Sequence, residues 1–234
     1  MFNSSYSSNP FAVAQATPSD RALFIRRTYA HLAGAVLAFI VLEAVLLSLP
    51  GIENLVGLML GAQYSWLVVL GLFMGATWMG NSWANSETSV SLQYAGLALY
   101  VVAYGIIFVP ILYIASTHYP EVILQAGVVT GLLFAGLTLT VFITRKDFSF
   151  LGPIIAIGGL VALGTIVLGI FMGFTLGLVF SGLMVLLAAA AILYTTSNIM
   201  NRYSTHQHVA AALALFGAVA MMFFYILRIF MARR

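Results

Sequence analysis

Long apolar runs dominate the chain, and short polar stretches separate them. A membrane-spanning helix needs about 20 mainly apolar residues, within a range of roughly 17–25. Seven runs meet this requirement, at residues 28–49, 64–82, 89–115, 121–143, 150–172, 175–198 and 208–231. The pattern therefore predicts an all-α integral membrane protein, a bundle of seven transmembrane helices.

Three places in this pattern need separate interpretation. The stretch 51–63 is too short to span a membrane and is predicted to lie at its surface. The third run contains Pro110, which predicts a tilt or a kink. The break between the fifth and sixth runs is only Phe171–Thr175. These two runs could therefore also form one buried hairpin that does not cross.

Composition agrees with a lipid environment. Hydrophobic residues make up 62% of the chain and charged residues 6%, whereas a soluble domain has about 25% charged residues. The basic residues lie at the ends of the apolar runs rather than on one clustered face, so we expect no nucleic-acid partner. Cysteine is absent, which excludes disulfides, thiolate metal sites and a cysteine nucleophile.

Basic residues in the short loops predict the orientation of the bundle. They precede the first run and follow the fourth and sixth, namely Arg26, Arg27, Arg145, Lys146 and Arg202. Loops rich in Arg and Lys stay in the cytoplasm, so the N-terminus is predicted to be cytoplasmic. Arg228, Arg233 and Arg234 would then emerge on the outer side. Either the last run is re-entrant, or the earlier loops decide the topology.

The first 27 residues form a polar leader in front of the membrane domain, 28–234. The basic residues come after the polar segment and directly before a full-length span, which is not the order of a cleavable signal peptide. We expect the leader to be disordered, with a short amphipathic piece at 22–25 on the membrane surface.

Glycines recur at intervals that suit close helix packing in lipid. The candidates are Gly71 and Gly75, Gly158, Gly159 and Gly164, and Gly169, Gly173 and Gly177. A structural packing role is the simplest interpretation of these positions.

Glu43 is the clearest ionisable residue at membrane depth. It lies seven residues before Pro50, about 10 Å below the outer end of the first helix at ~1.5 Å per residue. A carboxylate there needs a partner, a cavity or a proton. Arg228 approaches the outer end of the last helix, so a Glu43–Arg228 ion pair is one hypothesis. The other is a protonated Glu43 and an Arg228 that extends to the headgroups.

No residue pattern indicates an enzyme or a resident cofactor. Glu43 has no second carboxylate at its depth, and no GxSxG nucleophile motif occurs. His206 and His208 lie two residues apart in a polar loop, which predicts solvated side chains rather than metal ligands. We therefore expect no catalytic residues and no metal site.

Four segments, in order along the chain, resemble the Bax inhibitor family of membrane proteins. The loop before the fifth run, 142–152, reads FITRKDFSFLG, with Arg145, Lys146 and Asp147 at its centre. The others are YGIIFVPIL at 104–112, ILYTTSNI at 192–199 and FFYILR at 223–228. The resemblance implies a seven-helix bundle whose last helix is enclosed by the other six.

The family's calcium-leak members carry one aspartate in the sixth helix and one in the seventh, which form a pH-sensitive latch. The matching positions here are Thr195 and Ala218. Since neither residue can exchange a proton with a carboxylate partner, the resemblance does not extend to this latch. A calcium leak by that mechanism is therefore in doubt.

The TRKDFSFLG loop and the TSNI end of the sixth helix look more like the bacterial YccA-like branch of the family. That resemblance implies a protein of the bacterial inner membrane that modulates the membrane-anchored AAA protease FtsH through its cytoplasmic tail. The alternative function is a cation leak, with calcium as the permeating ion.

Overall fold

The computed structural model describes residues 13–62, 64–86 and 89–233. A short 3-10 turn at Val13–Gln15 precedes the α-helices. Eight α-helices follow: α1 Pro18–Ser48, α2 Ile52–Leu60, α3 Ser65–Ala84, α4 Val90–His118, α5 Pro120–Thr144, α6 Leu151–Met172, α7 Leu178–Asn201 and α8 His208–Met231.

Seven of these helices, all except α2, are long and apolar enough to cross a membrane. The seven predicted spans are therefore confirmed. Helices α6 and α7 are separate and of full length, and α8 continues to Met231 without a break. Helix α4 continues as a helix through Pro110.

Helix α1 begins ten residues before the predicted span because its start is capped. The Thr17 hydroxyl accepts a hydrogen bond from the Asp20 backbone N–H at 3.2 Å and donates to the Asp20 carboxylate at 2.7 Å. Pro18 occupies the first turn, where no amide hydrogen is needed. Disorder was predicted for the leader 1–27, but its last ten residues belong to α1; residues 1–12 lie outside the described residues.

Helix α8 is the centre of the bundle. It packs against α1, α3, α4, α5 and α7, and α6 reaches it through a buried cluster of Ala162, Met184 and Tyr225. Of its most apolar eighteen residues, 72% are buried, compared with 11–44% in the other six spans. The predicted enclosure of the last helix is confirmed.

The short helix α2 lies between the first and second spans. Ile52, Val56 and Met59 form its buried face, and Ile52 and Val56 pack against Val109 of α4. Nine residues cannot span a membrane, so α2 packs against α1, α3 and α4 without crossing.

Most of the predicted glycines do not lie at close helix contacts, but Gly158 does, since a methyl group there would lie 2.8 Å from Leu187 Cδ1 of α7. A methyl group at Gly71, Gly75, Gly159, Gly164, Gly173 or Gly177 would meet nothing within 4 Å. A tight backbone contact that was not predicted lies between α3 and α4, where a methyl group on Gly96 would lie 2.5 Å from the Gly80 carbonyl oxygen. Four-residue spacing marks a possible interface, but only the tertiary fold selects the glycines that face another helix.

Candidate functional site

The loop between α5 and α6 is fastened to the end of α7. Ser197 on α7 accepts a hydrogen bond from the Phe148 backbone N–H at 3.0 Å and donates to Asp147 Oδ1 at 3.4 Å. Asp147 Oδ1 also accepts from the Ser149 backbone N–H at 2.8 Å. The loop is therefore a tethered turn on the cytoplasmic face of the bundle.

Hydrogen bonding keeps the pKa of Asp147 below its ordinary value, chiefly through the Ser149 backbone N–H. Arg202 adds an ion pair with Asp147 at 3.7 Å, but both side chains are more than half exposed. A pair of that kind contributes little to stability. The hydrogen bonds rather than the ion pair therefore hold the loop on α7.

Arg145 and Lys146 occupy the turn itself. Arg145 takes a left-handed conformation at φ 52°, which is unusual for a residue other than glycine, and its backbone N–H caps α5 by donating to the Val141 carbonyl at 2.8 Å. The Lys146 backbone N–H contacts the Thr144 hydroxyl at 3.5 Å. Both basic side chains are exposed, on the face that the positive-inside rule predicts to be cytoplasmic.

The cytoplasmic leader is attached to the bundle next to this loop. The Val13 backbone N–H donates to the Tyr203 carbonyl at 2.9 Å, and the Val13 side chain is fully buried. Burial also raises the pKa of the Tyr203 phenol to about 12. The described part of the leader is thus anchored at Val13, beside the α7–α8 loop.

Two histidines distant in sequence meet near this surface. His31 of α1 and His208 of α8 have ring centroids 4.9 Å apart, and His31 Nε2 is 2.8 Å from the Tyr94 hydroxyl. His206 is exposed, as predicted, whereas His208 is only partly exposed. In the described part of the chain, no group of three or more His, Cys, Asp or Glu side chains is placed to hold a metal ion.

Glu43 is buried in the outer half of the bundle. Its side chain is 5% exposed, and neither carboxylate oxygen has a hydrogen-bond partner among the described residues. It faces Gly105 of α4, because a methyl group on that glycine would lie 3.7 Å from Glu43 Oε1. An unpartnered carboxyl in such a place is most stable in its neutral, protonated form.

The predicted Glu43–Arg228 ion pair is not formed. Arg228 instead donates from Nη2 to the Leu176 carbonyl at 2.7 Å, in the turn that connects α6 with α7. The prediction was wrong because depth along two helices says nothing about the direction in which their side chains point.

Comparison with known proteins agrees with this arrangement. The family model described as "Inhibitor of apoptosis-promoting Bax1" matches residues 21–234. This chain belongs to the Bax inhibitor family. It is 31% identical over 166 residues, 70% of this chain and 73% of the relative, to the modulator of FtsH protease YccA from Escherichia coli K12.

Other relatives match over shorter regions. An uncharacterized protein of Pseudomonas aeruginosa is 34% identical over 51% of this chain and 54% of its own length. Protein LIFEGUARD 4 of Arabidopsis thaliana is 33% identical over 48% and 47%. The chain thus spans about half the length of several relatives that it matches.

The predicted location is also confirmed. The protein has seven candidate spans, and a second Escherichia coli relative with the same 31% identity is named inner membrane protein YccA. The chain is therefore an integral protein of the bacterial inner membrane.

The two positions that match the family's latch aspartates lie in the core of this Bax inhibitor family member. Thr195 on α7 and Ala218 on α8 are both buried, and their helices pack against each other. Neither side chain can carry a charge or release a proton in the physiological range. A carboxylate latch is therefore missing from this helix pair.

Sequence reasoning missed Ser197, Tyr203 and His31. Ser197 stands within the TTSN motif, but its partners lie in another loop, and Tyr203 is linked to the leader through its backbone carbonyl. His31 is 177 residues from His208 (208 − 31) in the sequence. No local signal joins these residues before the helices pack.

Proposed function

We propose that the protein modulates a membrane-anchored AAA protease of the FtsH type through its cytoplasmic N-terminal leader. The observation that carries this proposal is the similarity to YccA, named as a modulator of that protease, which covers 70% of this chain. No chemical site is needed for such a role, since the protein acts by binding.

The anchoring of the leader supports this function. Val13 is buried against the bundle and bonded to Tyr203, so the leader starts at a defined place on the cytoplasmic face. The tethered Asp147 loop joins α7 on the same face. A protease that grasps the leader would therefore meet a rigid surface directly behind it.

The decisive experiment removes residues 2–12 and keeps Val13 and the Thr17 cap. The expected result is loss of co-purification with the protease while the bundle keeps its thermal stability. A matched control replaces the same segment by a Gly/Ser sequence of equal length, which tests whether sequence or length matters. Undiminished association of the deletion variant would exclude the leader as the binding element.

A cation leak is the second candidate function, and the buried Glu43 carboxyl favours it. Its two oxygens have no hydrogen-bond partner among the described residues, so they are available to a proton or a cation. The test is calcium flux into proteoliposomes at two pH values, with Glu43→Gln as the variant. If flux equals that of protein-free vesicles, this second candidate fails.

The two candidate functions predict different results for the same pair of variants. Deletion of residues 2–12 should abolish protease association without changing flux, whereas Glu43→Gln should change flux without changing association. Glu43 lies about 10 Å below the outer end of α1 at ~1.5 Å per residue, far from the leader. A change in calcium flux is therefore not expected to alter protease association, and a change in association is not expected to alter flux.

A further inference from the structure

A large cavity opens in the outer half of the bundle, on the opposite side of the membrane from the leader. Its volume is about 720 Å³, within the ~300–1,000 Å³ of small-molecule sites. Residues from five helices line it, among them Trp66, Phe73, Tyr104, Ile166, Met184 and Met221. The wall is therefore mainly aromatic and aliphatic.

Arg228 is the one charged side chain among the described residues that line this cavity. Its guanidinium uses one donor for the Leu176 carbonyl, which is the only hydrogen bond it makes with the described residues. A guanidinium has five N–H donors in a planar fork that matches a carboxylate. The site thus offers a cation with free donors beside an apolar chamber.

The two parts of the site lie at different membrane depths. Arg228 is three residues before the end of α8 at Met231, so it lies about 5 Å from the outer end of that helix. Tyr104 is fourteen residues before the end of α4 at His118, about 21 Å along that helix. The charge therefore lies near the surface and the apolar wall extends toward the middle of the membrane.

Helix packing does not close the cavity between α3 and α6. Helices α3 and α6 both line it but make no extended contact with each other. Their outer ends approach through the rings of Tyr64 and Phe171, with centroids 5.8 Å apart.

We propose that this cavity binds a long-chain fatty acid, with its carboxylate on Arg228 and its acyl chain along the apolar wall. Charge selects the anionic head, because a neutral lipid would leave the guanidinium donors in apolar surroundings without an acceptor. The cavity is a single chamber, and its volume suits one acyl chain rather than the two acyl chains of a phospholipid. This site is independent of the proposed protease function.

Trp66 provides the means to test the proposal on the full-length protein. It lines the cavity, and bromine atoms quench tryptophan fluorescence at short range. Titration with dibromostearic acid in neutral detergent should quench part of the emission in a saturable manner. The saturable part should disappear in Trp66→Phe, since Trp78 and Trp83 do not line the cavity.

Arg228→Gln tests the charge. The glutamine amide keeps a donor for Leu176 but loses the cation, so affinity for the acid should fall about tenfold or more, as expected for a lost charge-assisted hydrogen bond. Affinity for the methyl ester of the same brominated acid should not change. Arg233→Gln, at an exposed arginine near the same end of α8, is the matched control and should bind like the unaltered protein.

Two further variants keep the test valid if Arg228→Gln does not fold. Arg228→Lys retains the charge and should bind the acid within a few-fold of the unaltered protein. Ile166→Phe fills the chamber from α6 and should weaken the acid and the ester alike. Non-saturable quenching, equal losses for acid and ester in Arg228→Gln, or a preference for dibrominated phosphatidylglycerol over the acid would each overturn the proposal.

Discussion

Ser197 and Asp147 are fifty residues apart in sequence and 3.4 Å apart in the structure, joined by a hydrogen bond from the serine hydroxyl to Asp147 Oδ1. They belong to the two segments, FITRKDFSFLG and ILYTTSNI, that resemble the family most specifically. The two segments thus form one unit, a loop held on the end of a helix.

Ser197→Ala should destabilise the protein by about 1 kcal/mol, because the Phe148 backbone N–H loses its acceptor and one further hydrogen bond is lost. The measurement is thermal unfolding in detergent. Arg202→Gln is the comparison, since it removes an exposed ion pair and should cost only ~0–1 kcal/mol. If Arg202→Gln lost more stability than Ser197→Ala, the ion pair rather than the hydrogen bonds would hold the loop on α7.

The loop should also lose stability in acid. Because the folded-state pKa of Asp147 lies below its ordinary 3.8, its contribution is fully present above that value and is lost as the pH falls through the lowered folded pKa. Asp147→Asn keeps the acceptor oxygen and removes the titration. The difference in melting temperature between the two proteins should therefore shrink below about pH 4, and a constant difference down to pH 2 would contradict the assignment.

Gly96→Ala should destabilise the bundle by about 1–3 kcal/mol. The added methyl group would lie 2.5 Å from the Gly80 carbonyl oxygen and 2.6 Å from the Ala84 amide nitrogen, so α3 and α4 must move apart. Gly75→Ala on α3 is the control, since its methyl group meets nothing within 4 Å. Its melting temperature should stay equal or rise slightly, because alanine favours a helix over glycine.

Glu43→Met should raise the thermal stability, by about 1 kcal/mol or more, because it removes a buried polar group without a hydrogen-bond partner. Glu43→Gln should give no such gain, since the amide is also unpartnered. Glu53→Gln, at an exposed carboxylate of α2, serves as the control and should change little. A marked loss of stability in Glu43→Met would reveal a partner that the carboxyl needs.

Val13→Asp should release the leader from the bundle. A charge at this fully buried position would lose its hydration, so the turn should detach from Tyr203. Trypsin added to inside-out membrane vesicles should then cleave after Arg21 faster than in the unaltered protein. Ala14→Asp, at the exposed neighbour, should leave the rate unchanged, and equal acceleration in both would show that Val13 is no anchor.

Hydropathy along the chain was sufficient to predict the seven spans and to exclude 51–63 as an eighth, because burial in lipid acts on each segment by itself. Hydropathy did not predict the start of α1 at Pro18. The apolar run begins near residue 28, but the Thr17 cap and Pro18 extend the helix outward. Such caps involve individual hydrogen bonds, which average hydropathy does not contain.

Residue types and their depths alone determined that this protein lives in lipid and that Glu43 is a buried carboxyl. They also predict that the loops with Arg145, Lys146 and Arg202 face the cytoplasm. The tertiary structure decided the rest. In the folded bundle, Arg228 donates a hydrogen bond to the Leu176 carbonyl and forms no ion pair with Glu43. Gly96, unlike Gly75, lies at a close contact between helices. Asp147 accepts a hydrogen bond from Ser197. These choices depend on the rotation of each helix about its axis, and that rotation is set by packing between helices.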